Sequence, residues 1–383
     1  MRRPGNNMPQ KQDWNPRSDE SLNQAIATYD RMRAKCPVAY SDYLQWSVFR
    51  HADIAAIAKN HSTFSNQVSR HMAVPNGMDP PIHDVYRELI NPYFNDRSIH
   101  TFEPTCQKIA KRYAQAMSNS KKIDFMAEFA WPVAVAMQCA FLGWSKSHIA
   151  TFSTWVKRNQ QATLAQDRTE LAACATEFEV IVSGIIERHR NKDDVTARLL
   201  QERVNGELLT QSQLISILRN WAVGEIGTMA AAMGILVQFL TEHTDIQQQL
   251  RDAPEKIPEA IEEILRLHGP LVTNRRKTTC PVKLGGRDIP AGAILTVNWV
   301  SANRDESVFD QADEFRWGRD QGENLMYGTG IHYCPGAGLA RMELKAVLLA
   351  LLDANSNIES AGQTTPAHYP GSGYATLPIR IAR

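Results

Sequence analysis

A chain of 383 residues, 43% of them apolar, carries enough material for one large buried core. Lysine and arginine number 42 against 41 acidic residues, a formal net charge of +1; this gives no electrostatic footprint for nucleic acid and leaves room for a local basic patch facing an acidic protein. The polar start MRRPGNNMPQKQDWNPRSDES lacks the apolar core of a signal peptide, and the longest apolar runs, 129–144 (interrupted by Pro132 and Gln138) and 229–240, fall short of a bilayer span, so a cytoplasmic protein without membrane insertion is expected.

In chain order, residues 1–20 form a polar segment compatible with disorder, and 21–383 read as one domain. The pattern predicts an amphipathic helix over 22–33 and a short strand over 43–49, where aromatic and β-branched residues alternate. From 82 to 355 helical patterns dominate, punctuated at Pro92, Gly143, Gly206 and Pro254. Residues 214–242 read as one long helix with no proline but with Gly224, Gly227 and Gly234 inside it. Each glycine costs about 1 kcal/mol against alanine in a helix interior, so either a backbone packs close or something bulky and flat lies alongside. After Pro270 come short β runs at 282–284, 288–289 and 294–297, and a last strand signal at 375–381. The fold class is mainly α with small β-sheets, with neither internal repeat nor low-complexity linker.

The six cysteines (36, 106, 139, 174, 280 and 334) show no CxxC pair and no zinc or iron–sulfur spacing. Five read as small buried hydrophobes. Cys334 is different: it lies in 327–341, a run with four glycines in eleven residues that leads into a strongly helical stretch at 339–352. Pro335 suits a first helical position. A sulfur at a helix N-terminus is drawn towards thiolate by the helix dipole and nearby N–H groups.

The segment Tyr327-Gly328-Thr329-Gly330-Ile331-His332-Tyr333-Cys334-Pro335-Gly336 resembles the Phe-Gly-x-Gly-x-His-x-Cys-x-Gly haem loop of the cytochrome P450 family, with Tyr327 in place of the usual Phe. Glu263-Ile264-Leu265-Arg266 resembles the family's Glu-x-x-Arg motif. Ala302-Asn303-Arg304-Asp305 followed by Phe309, and 79–87 (DPPIHDVYR), are similar to two further family segments. The resemblance implies the single-domain fold of that family, with haem b (iron protoporphyrin IX) between the central long helix and the cysteine-loop helix. It implies Cys334 as the axial thiolate, which pushes electron density onto iron and favours O–O cleavage. Gly336 would let the loop pass close to the porphyrin, while Gly328 and Gly330 would shape the turn and aim N–H groups at the sulfur.

The same resemblance implies propionate contacts from His83 and Arg87, which share a helix face at four-residue spacing, from Arg276 and from His332; Arg275 stays open as an alternative to Arg276. Glu263 and Arg266 are implied to be a buried structural ion pair, with Arg316 as third member. In the central helix, Gly224 would border the haem and Thr228 aligns with the family's oxygen-side threonine. The acid usually just before that threonine is replaced by Gly227, leaving Glu225 three residues earlier as a displaced proton-relay candidate. The Thr228 hydroxyl can also bond back to a carbonyl at i−3 or i−4.

The function implied is a monooxygenase, with O2 as co-substrate, inserting one oxygen atom into a small or medium apolar molecule by hydroxylation or O-dealkylation. Without any flavin, nicotinamide or iron–sulfur signature, the electrons would come from a separate ferredoxin- or flavodoxin-type donor to a monomer. The rivals are a peroxide-driven peroxygenase, against which Thr228 argues because such members carry Arg-Pro there, and a non-catalytic haem sensor or electron carrier. Segments 69–78, 222–228, 271–274 and 370–374 are the expected pocket walls.

Overall fold

The computed structural model describes residues 11–69, 71–117, 122–354 and 357–382. The first ten residues of the disorder-prone start lie outside them; beyond these, Trp14 packs edge-on against Phe49 with ring centroids 5.4 Å apart.

Near the N-terminus a mixed sheet is built from β1 (Val38–Ser41), β2 (Gln45–Val48), β3 (Phe64–Ser65), β4 (Thr273–Thr278) and β5 (Ile294–Asn298), in the order β1-β2-β5-β4-β3. The β5–β2 pair is parallel, with Leu295 opposite Trp46, and the others are antiparallel. The predicted strand at 43–49 is thus the second arm of a hairpin whose first arm the pattern missed. β4 was missed as well: its TNRRKT sequence has no apolar alternation, but Arg276 and Thr278 point inward and Arg275 and Lys277 outward. The helix predicted over 22–33 is two, Asp19–Asn23 and Ala25–Lys35, parted at Gln24, whose φ of −129° and ψ of 48° are not helical. The final strand is also two, Tyr374–Thr376 and Pro378–Ala382, in different sheets, because buried Leu377 between them donates its N–H to the Asp124 carboxylate.

The helical core contains α1 (Ile82–Ile90), α2 (Asp96–Met117), α3 (Trp131–Leu142), α4 (Gln211–Glu242), α5 (Ile257–His268) and α6 (Ala337–Ala354). α2 lies along α6, and α3 packs on both α2 and α4. α3 (WPVAVAMQCAFL) is apolar almost all round, as a helix with no solvent face should be, and its one polar interior residue, Gln138, is buried with it. It ends at Gly143, left-handed at φ 77°, where a Cβ would run into Asp194. α4 begins with a reciprocal capping box between Thr210 and Gln213 and runs unbroken for 32 residues. It is therefore longer than the 229–240 run suggests, and it is long and apolar enough to cross a bilayer; in the fold it is the mostly buried centre of the core.

Candidate functional site

Cys334 lies between a short 3-10 turn, Gly330–His332, and the start of α6. Pro335 is two residues ahead of the helix rather than at its first position, because the chain makes one more turn through Pro335 and Gly336 before the helix begins at Ala337. The loop is fixed by its glycines. Gly328 and Gly330 have φ of 72° and 71°, and a Cβ on Gly330 would sit 2.7 Å from the Ala58 carbonyl oxygen. The Cys334 N–H returns to the Tyr327 carbonyl at 2.9 Å. Backbone donation to the sulfur comes from the Gly336 N–H. The helix end does not by itself make a thiolate. Burial pushes the Cys334 thiol up and outweighs the Gly336 N–H and Arg87, which pull it down. A cation on the sulfur would reverse that balance, since a coordinating thiol is deprotonated outright.

Cys334 lies deep in the molecule, and part of its own surface is open. α4 is open in the same way. Val223 is 40% exposed on a helix that is mostly buried, and a Cβ on Gly224 would meet nothing within 4 Å. The other two glycines have packing reasons: a Cβ on Gly227 would stand 3.0 Å from Gln160, and one on Gly234 would strike Met126. Of the three helix glycines, Gly224 alone faces open space.

Four groups that carry or can carry positive charge converge beside the cysteine loop. His83 on α1 is buried, with its Nδ1 2.9 Å from Asp84 and its Nε2 without a partner; His332 Nε2 is likewise buried and unpartnered. Arg276 on β4 is buried, and its hydrogen bond among the described residues is to the neighbouring Arg275 carbonyl at 2.9 Å. Arg275 itself is exposed, so the strand's alternation separates the two. Arg87 donates to the Tyr333 carbonyl. Their effect on one another is repulsive: burial, then His83, Arg276 and Arg87, hold His332 down to about 3, and burial brings Arg276 down to about 10 despite Asp79. Orphaned buried donors and crowded cations mark a place for a buried anion. An open-sided Gly224, a thiol with its own N–H donor and a cationic rim fit haem b with two carboxylates.

On α4 the Thr228 hydroxyl donates to the Gly224 carbonyl at 2.7 Å and the Glu225 carbonyl at 3.1 Å, the back-bonding expected from the sequence. The Glu225 carboxyl points elsewhere. The Gln138 amide, oriented with its NH2 towards Glu225, donates to both carboxyl oxygens at 2.6 and 2.9 Å, and Glu343 of α6 lies within hydrogen-bonding reach. Burial pushes Glu225 up to about 8, moderated by the Glu343 contact. Glu343 was missed in the sequence. Its signal is spacing: Leu339, Glu343, Val347 and Leu351 fall four apart, which puts one acid on the buried stripe of α6.

The expected pocket walls bracket this stretch of α4. Within 69–78, Val74 binds Ser216 through its N–H (2.9 Å) and Asn220 through its carbonyl (2.8 Å); residue 70 lies outside the described set. Within 370–374, a Cβ on Gly373 would meet the Ala231 carbonyl oxygen at 3.2 Å.

The Glu263–Arg266 pair is fully buried at 2.9 Å. Arg266 also donates to the carbonyls of Asn303 and Ala312, both at 2.7 Å. The third arginine is Arg319 at 2.7 Å from Glu263, and the expectation of Arg316 is corrected: Arg316 gives Glu263 only its backbone N–H and sends its guanidinium out to Asp310. Gln321 adds a bond at 3.0 Å. Burial raises Glu263, but Arg266 and Arg319 more than offset it and hold the carboxyl below its usual range.

Comparison with known proteins adds a family. The family model described as Cytochrome P450 matches residues 149–378. Cytochrome P450 109 of Bacillus spizizenii is 30% identical over 370 residues, covering 92% of this chain and 91% of the relative. Among solved structures, cytochrome P450 CYP109Q5 from Chondromyces apiculatus superposes with a TM-score of 0.86 at 26% identity, covering 95% of this chain and 97% of that one. CYP109E1 from Bacillus megaterium, in complex with testosterone, gives 0.84 at 26% identity, covering 97% and 100%.

Proposed function

The chain belongs to the cytochrome P450 family of haem-thiolate monooxygenases, and from that premise we propose that it inserts one atom of O2 into a small or medium apolar molecule, by hydroxylation or O-dealkylation, with electrons from a separate ferredoxin- or flavodoxin-type protein. The observation that carries the site assignment is the pairing of Cys334, deep and open on one side, with the unpartnered His83 and His332 at the rim.

Cys334 is the iron ligand in this reading, and the Gly336 N–H tempers the charge on its sulfur. His83, Arg87, Arg276 and His332 would hold the two propionates, whose negative charge the cluster lacks. Gly224, with open space at its Cβ position, would leave room for the group. A bound thiolate-ligated haem supplies the activation of O2 and the transfer of an oxygen atom.

The protein's own share lies in α4. Back-bonding weakens the helix at Gly224 and Glu225 and fixes the Thr228 hydroxyl there, its proton on those carbonyls and its oxygen left to accept from water. Glu225, close to neutral pH in its titration, suits a proton donor. Met78, Val223 and Leu271 with 370–374 favour an apolar guest, and the testosterone complex of the Bacillus megaterium relative supports that class. The test is a panel of difference spectra on the ferric protein, watching for the low-spin to high-spin change as apolar ligands enter. Absence of any response to steroids, terpenoids and aromatic ethers alike would count against the substrate class.

A further inference from the structure

We propose that a surface hollow between the N-terminal segment, the β1–β2 turn and the loop at 368–369 is a binding site for a small aromatic carboxylate, separate from the haem site. Arg17 and Arg275 hold the carboxylate there, and Tyr43 and Tyr369 the ring.

The hollow measures about 210 Å³ and is lined by Pro16, Arg17, Leu22, Tyr43, His368 and Tyr369. A cavity of about 150 Å³ is enough for benzene, so there is room for one ring with a short polar arm. Pockets for drug-sized molecules begin at about 300 Å³, which excludes a larger guest.

One corner of the hollow is aromatic. Tyr43 and Tyr369 stand edge to face with ring centroids 6.1 Å apart, and the Tyr369 and Thr273 hydroxyls are 2.9 Å from each other. Two cations converge on the same corner. The Arg17 guanidinium lies 5.1 Å from the centre of the Tyr43 ring, and Arg275 acts on that phenol from β4. Among the described residues neither guanidinium makes a hydrogen bond or an ion pair; these residues bond through backbone, the Arg17 N–H to Asn15 and the Arg275 carbonyl from Arg276. The acids nearest in the chain are engaged elsewhere, Asp13 with Arg287, Glu20 with Arg31 and Asp42 with Gln12.

Tyr43 senses this imbalance. Burial, then Tyr369, pushes its phenol up, while Arg17, Arg275 and a hydrogen bond from Gln166 pull it down, and no carboxylate acts on it. With Gln166 donating to its oxygen, the phenol keeps its O–H for an acceptor. Two unpaired guanidiniums and a free O–H around one ring suit a planar anion, and the guanidinium fork matches a carboxylate. Tyrosine rings at right angles suit a flat apolar body beside it. The chain's own first ten residues do not complement the site, since they carry two arginines and no acid. Arg275 leaves β4 on the face opposite Arg276, so the hollow lies across the sheet from the cationic rim.

The test is fluorine NMR titration of the holoprotein with 4-fluorobenzoate and with its uncharged counterpart, 4-fluorobenzyl alcohol, while the ferric Soret band of the same samples is followed. The acid should bind about tenfold more tightly than the alcohol, because a hydrogen bond to a charged group contributes roughly that factor, and the Soret band should stay where it is. Arg17→Gln and Arg275→Gln, both at exposed positions, should each weaken the acid by about three- to tenfold. Together they should bring it down to the level of the alcohol, whose own binding stays unchanged. Equal affinity for acid and alcohol, or acid binding that survives the double substitution, overturns the inference. A Soret shift with the same midpoint as the fluorine signal overturns it too, because the acid then occupies the haem pocket.

Discussion

His83 and His332 meet edge to face with ring centroids 4.4 Å apart, joining α1 to the cysteine loop through two imidazoles that each keep one buried nitrogen unpartnered. Adding Arg87 and Arg276 makes a cluster suited to an anion and strained without one. Arg276→Leu should therefore have opposite effects on two forms of the protein. Haem should leave more readily for apomyoglobin, by roughly ten- to a hundredfold in affinity, since a charge-assisted bond to a buried carboxylate contributes about 1.5–3 kcal/mol. The haem-free protein should melt at a higher temperature because a buried cation has been removed. Arg87→Ala should weaken haem retention in the same direction. Equal melting and equal haem loss in variant and parent would refute the propionate assignment.

Cys334→His should retain haem, because the cationic rim is intact, but should move the reduced carbon monoxide band from the thiolate-type position to that of ordinary imidazole–haem. An unchanged band would mean that another side chain holds the iron.

The fold should lose stability as pH rises through a defined window on account of Glu225. Its folded value is pushed up to about 8 by burial, against 4.5 for a free glutamic acid. Below 4.5 both folded and unfolded chains hold the proton and the contribution is complete. Between 4.5 and about 8 the unfolded chain has released a proton that the folded one keeps, so unfolding becomes steadily easier. Glu225→Gln should flatten the denaturant midpoint across that window relative to the parent. A variant curve parallel to the parent's would show that Glu225 titrates normally.

Arg319→Ala should cost about 3 kcal/mol, because it withdraws one of the cations that neutralise a fully buried carboxylate. Arg316→Ala should cost less than about 1 kcal/mol, as its guanidinium pairs with Asp310 at the surface. Denaturant titration of both variants decides between them; equal costs would place the two arginines in equivalent roles.

Thr228→Ala should bind apolar ligands as before and divert reducing equivalents into hydrogen peroxide, measured as product formed per reduced nicotinamide with a reconstituted reductase. Coupling equal to the parent's would remove Thr228 from the proton path. General acid catalysis contributes typically 10²–10⁴-fold, so Glu225→Gln should slow turnover visibly even if its part is partial.

The chemistry-bearing loop was readable in the sequence because glycine, histidine and cysteine at fixed offsets admit few backbone paths; Gly328 and Gly330 do take positive φ. The Thr228 back-bond followed from local helix geometry. What escaped depended on chain path or on neighbours far away in sequence. Arg316 and Arg319 are three apart in irregular backbone, and only the course of that backbone decides which side chain turns inward. Glu343 was hidden in an apolar helix, and its meaning depends on Glu225 and Gln138 arriving from two other helices. β4 lacks a strand's apolar alternation because one of its inward positions carries an arginine.

From Asn303 to Thr329 the chain has neither helix nor strand, yet Glu263 and Arg266 pin it at Asn303, Ala312, Glu314, Arg316, Arg319 and Gln321. This stretch leads straight into the cysteine loop, and side-chain contacts, with Glu263 and Arg266 making six of them, hold it where a regular element would rest on a backbone ladder. Circular dichroism, which counts helices, would be nearly blind to its loosening. Damage to the Glu263 hub should therefore first show as a bleaching Soret band over an unaltered far-ultraviolet trace: a protein that looks folded but no longer grips its iron.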